Sequence, residues 1–296
     1  MRNNSQSVFG GIQYISVGIY FLACFFIVST GTHSSSSIPA LVLVLCLAET
    51  HFGITWLLLY KMKAVLFLQP LRFIYIPIAI AIGSSALFFY NQSLYMFGFM
   101  AFNIYHVNRQ STGFYIGTMG FDPRFRKYRT HLEGLLHCLA GVGVMVNVKA
   151  ISPSWITSLI LLSVYVSCYM LLKTGTDNLK RGLVLGSTFL IWAPLYYFDN
   201  KLLALITGVS LHYAQYLMIT SHVLRRTDST SWIIIFITVF SYSLVTTMLL
   251  SKKFGGEFDW LAIIPTTLQL LHFYYDSLIW RRGNSIVRER LETAGL

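Results

Sequence analysis

The sequence predicts an all-α integral membrane protein: a single polytopic transmembrane domain over residues 1–296, with about ten spanning helices and both termini in the cytoplasm. Three observations lead there: too little charge to coat a soluble surface, apolar stretches of spanning length that recur along the chain, and a one-sided distribution of basic residues. Of the 296 residues, 55% are hydrophobic, 16% aromatic and 11% charged, against about 25% charged in an ordinary soluble domain. Mean hydropathy is +0.61. Soluble enzyme, disordered linker and disulfide-stapled secreted module are excluded on these numbers. A net charge of +11 would suit a nucleic-acid partner, but its layout argues for membrane anchoring instead.

Stretches able to cross a hydrocarbon core of about 30 Å fall near 11–30, 39–60, 73–91, 93–109, 130–148, 155–172, 182–198, 202–224, 231–250 and 260–280. The stretch 182–198 is short enough to be tilted or partly interfacial. With the N-terminus placed in the cytoplasm, that side receives Arg2; Lys61, Lys63 and Arg72; Arg109, Arg124, Arg126, Lys127 and Arg129; Lys173, Lys180 and Arg181; Arg225 and Arg226; and Arg281, Arg282, Arg288 and Arg290. These are 18 of the 22 Lys and Arg; Lys149, Lys201, Lys252 and Lys253 fall opposite. Such a bias is the positive-inside signature. It fits a bacterial inner membrane, with membrane lipids as the immediate surroundings.

Links on the other side are short and nearly uncharged, as at Asn91-Gln92-Ser93 and Asp199-Asn200-Lys201. The longest link is expected at about 110–129, where Gly113, Gly117, Gly120 and Asp122-Pro123 cluster. The first apolar stretch is too long for a signal-peptide core and reads as a retained helix. Cys24, Cys46, Cys138 and Cys168 lie inside expected spans with no metal-binding spacing, and are read as small buried packing residues. The Arg124–Arg129 cluster is a topology anchor, with an anionic lipid headgroup as its alternative partner.

Ionisable groups inside a membrane are costly and point to function. His33 falls in an outer loop. The other seven histidines are His51, His106, His131, His137, His212, His222 and His272. Counted at about 1.5 Å per residue from the nearest basic residue, His106, His131 and His222 lie near the inner interface; His137 and His272 lie about 12–14 Å deep, and His51 and His212 about 15 and 20 Å. All seven therefore fall in the cytoplasmic half or at the midplane, as an inward-facing pocket would require.

Spacing strengthens this. His272 and Asp276 stand at i and i+4 on one helix face, as do Glu133 and His137, and His106 and Gln110. His212 has Gln215 and Tyr216 at i+3 and i+4. An imidazole binds a metal through one nitrogen while a carboxylate or amide holds the other; a carboxylate can also ligate directly, as in carboxylate–histidine sites inside helix bundles. The candidate metal ligands are His51, His106, His137, His212, His272 and Asp276. Tyr216, Tyr274 and Tyr275 are candidate donors of a hydrogen bond or proton, and Glu49 is a candidate proton carrier or a group behind the ligands. Imidazole with oxygen ligands suits iron, copper or zinc. Several deep histidines with a carboxylate favour non-haem iron, mononuclear or dinuclear; copper and bis-histidine haem are the alternatives.

The histidine boxes of membrane fatty-acid desaturases are absent. Glu49-Thr50-His51-Phe52-Gly53 resembles the histidine–glycine segments of the Brp/Blh carotenoid-cleaving membrane oxygenases. That resemblance implies a polytopic bundle holding iron with histidines from several helices, and carries over His51 alone. The chain departs from that family in lacking a closely spaced HxxxH pair late in the sequence. His106-Val107-Asn108-Arg109-Gln110 and the segment from His272 to Trp280 resemble motifs of uncharacterised bacterial membrane proteins. The expected function is a histidine-ligated metal oxygenase or oxidase acting on a lipid-soluble or amphipathic small molecule. Its partners would be dioxygen and, with no flavin or nicotinamide fingerprint in the chain, an electron-donor protein. A proton-coupled transporter or metal permease, using the same histidines as a relay, is the alternative.

Overall fold

The computed structural model describes residues 2–29, 42–63, 68–118, 129–147, 186, 188–251, 260–280, 289 and 292–294. Among the described residues the fold is all-helical, with no strand. Its helices are α1 (Arg2–Ser29), α2 (Glu49–Lys61), α3 (Ile76–Tyr90), α4 (Gln92–Thr118), α5 (Arg129–Asn147), α6 (Pro194–Tyr197), α7 (Lys201–Asp228), α8 (Trp232–Ser251) and α9 (Ile263–Ile279). The expected span at 155–172, His33, Cys168 and the basic residues at 124, 126, 127, 173, 180, 181, 281, 282, 288 and 290 lie outside the described residues.

The helix ends follow local chemistry. Asn91 breaks the run between α3 and α4, and its Oδ1 accepts the Leu94 N–H at 2.9 Å, capping α4. Asn200 caps α7 through the Leu203 N–H at 3.1 Å, and Ser231 caps α8 through the Ile234 N–H at 3.3 Å. Arg225 sits in the last turn of α7, where a cation complements the helix dipole. Its guanidinium lies 4.7 Å from the centroid of the Trp232 ring, at the start of α8.

Among the described residues, four helical stretches are long and apolar enough to cross a membrane: Val8–Ser29, Leu71–Tyr90, Leu203–Asp228 and Trp232–Leu249. This is fewer than the ten spans expected. The expected span at 155–172 and the start of that at 182–198 lie outside the described residues; for three of the others the cause is physical. α2, α4 and α9 carry buried polar groups that lower their hydropathy: Glu49, His51 and Thr55 on α2, Asn103, His106 and Asn108 on α4, and Gln269, His272 and Asp276 on α9. Conversely, Phe21, Leu22 and Phe25 on α1, Ile82 and Phe89 on α3, and Ile233 and Phe236 on α8 are large exposed apolar side chains. Continuous apolar faces of this kind need lipid or a partner to cover them. The chain is a membrane protein.

Three expectations are corrected. Residues 110–118, expected to open a link, belong to α4, with Phe114, Tyr115 and Ile116 buried and the Thr112 hydroxyl bonded back to Asn108 O at 2.8 Å. The stretch near 182–198 is not one straight helix in its described part. Pro194 has no N–H and crowds the carbonyl four residues back, so the chain turns through i→i−3 bonds such as Ala193 N–H to Leu190 O, 3.1 Å, before the short α6. Finally, Cys46 and Cys138 are exposed and Cys24 is half-buried; small apolar thiols are tolerated on faces that meet lipid.

The chain forms two compact units, Met1–Ala40 with Val107–Gln215, and Leu41–His106 with Tyr216–Leu296. In the first, α5 packs on α6 and the Tyr196 hydroxyl donates to Leu139 O at 2.7 Å. A Cβ on Gly208 would lie 2.1 Å from Ile191 O, so α7 passes the Pro194 turn at a distance only glycine permits. Gln215 Nε2 donates to Gln13 Oε1 at 2.6 Å and Trp192 Nε1 to Asn108 Oδ1 at 2.7 Å. Interhelical bonds of this sort contribute about 0.6–2 kcal/mol each in a membrane bundle.

In the second unit α2 packs on α8 and α9, and α9 on α3. Gly53 brings α8 close: a Cβ there would meet Tyr242 Cδ1 at 2.8 Å. Two wide π-turns, Val44–Ala48 before α2 and Leu71–Tyr75 before α3, disturb the i→i−4 ladder, and the affected carbonyls need other donors. Hydroxyls from neighbouring helices supply them. Ser243 donates to Leu45 O, Tyr274 to Arg72 O at 2.8 Å and Tyr275 to Phe73 O at 2.9 Å.

Candidate metal centre

Side chains of the second unit, carried on four helices, form one polar cluster. α2 brings His51 and Thr55, one turn apart on a common face. His106 comes from α4, Tyr216 from α7, and His272 and Asp276, again one turn apart, from α9. None of the six is more than 7% exposed, so bulk water does not compete for their hydrogen bonds. Phe52 and Phe273 wall the cluster, at ring-centroid distances of 4.9 Å from His272 and 4.6 Å from His106 respectively.

The imidazoles converge. Ring centroids are 4.5 Å apart for His51 and His272, 5.0 Å for His106 and His272, and 6.4 Å for His51 and His106. His106 Nε2 lies 3.7 Å from Asp276 Oδ2. One ligand atom from each of His106, His272 and Asp276 falls within 4.8 Å of the others. Ligands bound at about 2.0–2.2 Å stand roughly 3–3.5 Å apart around one ion, so modest inward rotation of these side chains would close them on a cation. This group can hold a metal ion. His51 presents a ring nitrogen within 4.8 Å of one on His106, at the edge of the same group.

Behind the donors runs a string of hydrogen bonds. His272 Nδ1 and Thr55 Oγ1 are 2.7 Å apart, and Thr55 Oγ1 and the Tyr216 hydroxyl are also 2.7 Å apart. The Tyr216 hydroxyl donates to Asp276 Oδ1, and Trp280 Nε1 donates to the same oxygen at 3.1 Å. Such a string orients ligands and fixes their tautomers.

The other predicted site residues are placed as follows. Glu49 is buried on α2, two residues before His51, and its Oε1 accepts from Gln269 Nε2 at 2.8 Å. That bond lies one turn from His272 on α9. Tyr274 and Tyr275 direct their hydroxyls to the π-turn carbonyls of Arg72 and Phe73, so Tyr216 is the one of the three tyrosines whose hydroxyl joins the cluster. His212 is buried on α7 in the first unit, one turn before Tyr216. His137 is half-buried on α5; its Nδ1 lies 2.6 Å from Glu133 O, while the Glu133 carboxylate accepts from Arg129 Nε at 2.7 Å. His131 is exposed, and His222 Nε2 lies 3.0 Å from Ala294 O.

Thr55 and Trp280 belong to the cluster and were not singled out in the sequence. Their signal was available: each stands four residues after a candidate ligand, His51 and Asp276 respectively. The chain matches no family model, no curated protein and no solved structure.

Proposed function

We propose that this protein is a membrane metalloenzyme, a non-haem iron oxygenase or oxidase acting on a lipid-soluble or amphipathic small molecule. The observation that carries the reading is the buried convergence of His106, His272 and Asp276. Two imidazoles and one carboxylate, with the remaining positions open, are the donor set that suits iron and dioxygen chemistry; iron would supply the activation of dioxygen. The chain's own part is to hold the donors, exclude water with Phe52 and Phe273, and admit a substrate from lipid. Electrons beyond those the substrate gives would come from a partner protein. Elemental analysis of detergent-purified protein, with an optical spectrum, tests the reading. Near-stoichiometric iron without a haem Soret band supports it; a Soret band, or no bound transition metal, refutes it.

The setting proposed for this site is a ten-helix bundle of a bacterial inner membrane, termini cytoplasmic, with the cluster in the cytoplasmic half. It draws on the 18 of 22 basic residues assigned to one side. Cysteines introduced at Ser35 and Ser285 are then expected to react with impermeant maleimide from opposite faces. Labelling of both from one face would refute this topology.

A second reading, a proton-coupled transporter or metal permease, draws on two observations: the unbroken hydrogen-bonded string from His272 to Asp276, and Glu49 buried on a neighbouring turn. Buried carboxylates of this kind carry protons in pumps.

A further inference from the structure

The string behind the metal centre has a direction, and the direction can be read from its far end. An indole nitrogen only donates, so Trp280 Nε1, 3.1 Å from Asp276 Oδ1, gives its proton to that oxygen. Oδ1 receives the Tyr216 hydroxyl proton as well. With two donors aimed at it, Oδ1 carries no proton of its own. The phenol's single proton is then used, and Thr55, 2.7 Å from the phenol oxygen, must donate to it. The threonine hydroxyl also has one proton. Its contact with His272 Nδ1, at 2.7 Å, is therefore a bond in which the imidazole donates. Each step leaves one choice for the next.

We infer that Thr55 is a positioning residue that locks His272 as the Nδ1–H tautomer and so leaves its ligating lone pair on Nε2. This rests on the metal-centre reading, for which it supplies a missing element: a neutral histidine ligates through whichever nitrogen lacks the proton. In ordinary metal sites the ligand's second nitrogen donates to a carboxylate or carbonyl. Here a hydroxyl takes that place, and the carboxylate acts two hydrogen bonds further on. One residue, Asp276, thus offers Oδ2 toward His106 and through Oδ1 anchors the string that sets His272.

The test uses full-length protein in detergent, freed of metal, with Co²⁺ as the probe and ¹⁵N-imidazole NMR as the tautomer readout. Thr55→Val keeps shape and removes the hydroxyl; Thr55→Ser keeps the hydroxyl. Wild type and Thr55→Ser are expected to show the Nδ1–H signature at His272 and similar Co²⁺ affinity. Thr55→Val is expected to lose that signature and about 10–100-fold in Co²⁺ affinity. Should Thr55→Val fail to fold, Tyr216→Phe serves: it keeps the ring and frees Thr55 to donate to Nδ1, so His272 should change to Nε2–H with a similar loss. An Nε2–H signature in the wild type, or unchanged tautomer and affinity in Thr55→Val, overturns the inference. Wild type with the Nδ1–H signature that takes up no Co²⁺ supports the lock and counts against the metal centre.

Discussion

His272→Ala is expected to reduce bound transition metal to less than about a tenth of the wild-type content and to abolish metal-dependent dioxygen uptake. The size of the effect follows from how many roles one imidazole has. His272 is fully buried, offers a ligand atom to the group with His106 and Asp276, stacks edge-on with His51 at 4.5 Å, and begins the string through Thr55. Loss of an outer-shell partner alone costs about 10–100-fold in affinity; loss of a ligand removes more. Alanine also leaves Thr55 without its imidazole and opens a space that a small ligand can enter. His131→Ala is the control. His131 is exposed on α5, and its removal should leave metal content unchanged. Metal analysis of the two variants, purified in parallel with circular dichroism to verify helix content, decides the matter. Equal metal content would remove His272 from the centre.

Much of the architecture is legible in the sequence because lipid imposes a simple rule on helices that face it. α1, α3 and α8 expose apolar side chains, and hydropathy finds α3 and α8 with bounds close to those observed; it finds the C-terminal end of α1, which itself starts at Arg2. The helices that build the site obey a different rule. Their polar residues face other helices, where hydrogen bonds compensate for burial, so α2, α4 and α9 look too polar for their length by composition alone. The apolar stretches expected at 39–60, 93–109 and 260–280 still overlap them.

Depth counted from a basic residue depends on where that residue sits in its helix. Counted from Arg109, His106 lies near the inner interface. But α4 continues to Thr118, and Arg109 is an exposed residue within that helix rather than its end. A long basic side chain can reach polar surroundings from inside a span, so it marks a depth only loosely. In the fold His106 lies beside His272 and Asp276. Pairs at i and i+4 were legible for the same reason that helices were: both depend on one local period. Which of the candidates meet, on α2, α4, α7 and α9, was not, because that depends on packing between helices far apart in sequence. Gly53 shows the difference. As sequence it is one of 21 glycines; in the fold it is where α8 rests against α2, two residues from His51.

Asp276→Asn separates the two functional readings most sharply. The side-chain amide retains an oxygen that can stay at the Oδ1 position, accepting from Tyr216 and Trp280, so the direction of the string and the His272 tautomer should survive. At the Oδ2 position, 3.7 Å from His106 Nε2, it places an NH₂ group, which carries protons where a metal needs a lone pair. The variant therefore removes a ligand and a negative charge while sparing the scaffold behind them. An oxygenase should lose metal by more than the about 10–100-fold typical of an outer partner, and lose dioxygen uptake in proportion, with no response to a transmembrane proton gradient. A permease or proton-coupled transporter should behave otherwise. Its substrate binding would persist, and gradient-driven flux in proteoliposomes would collapse because the carboxylate that must change charge is gone. Both assays run on the same reconstituted protein. Unaltered metal content and dioxygen uptake together with lost proton-driven flux would sink the oxygenase reading and put the relay in its place.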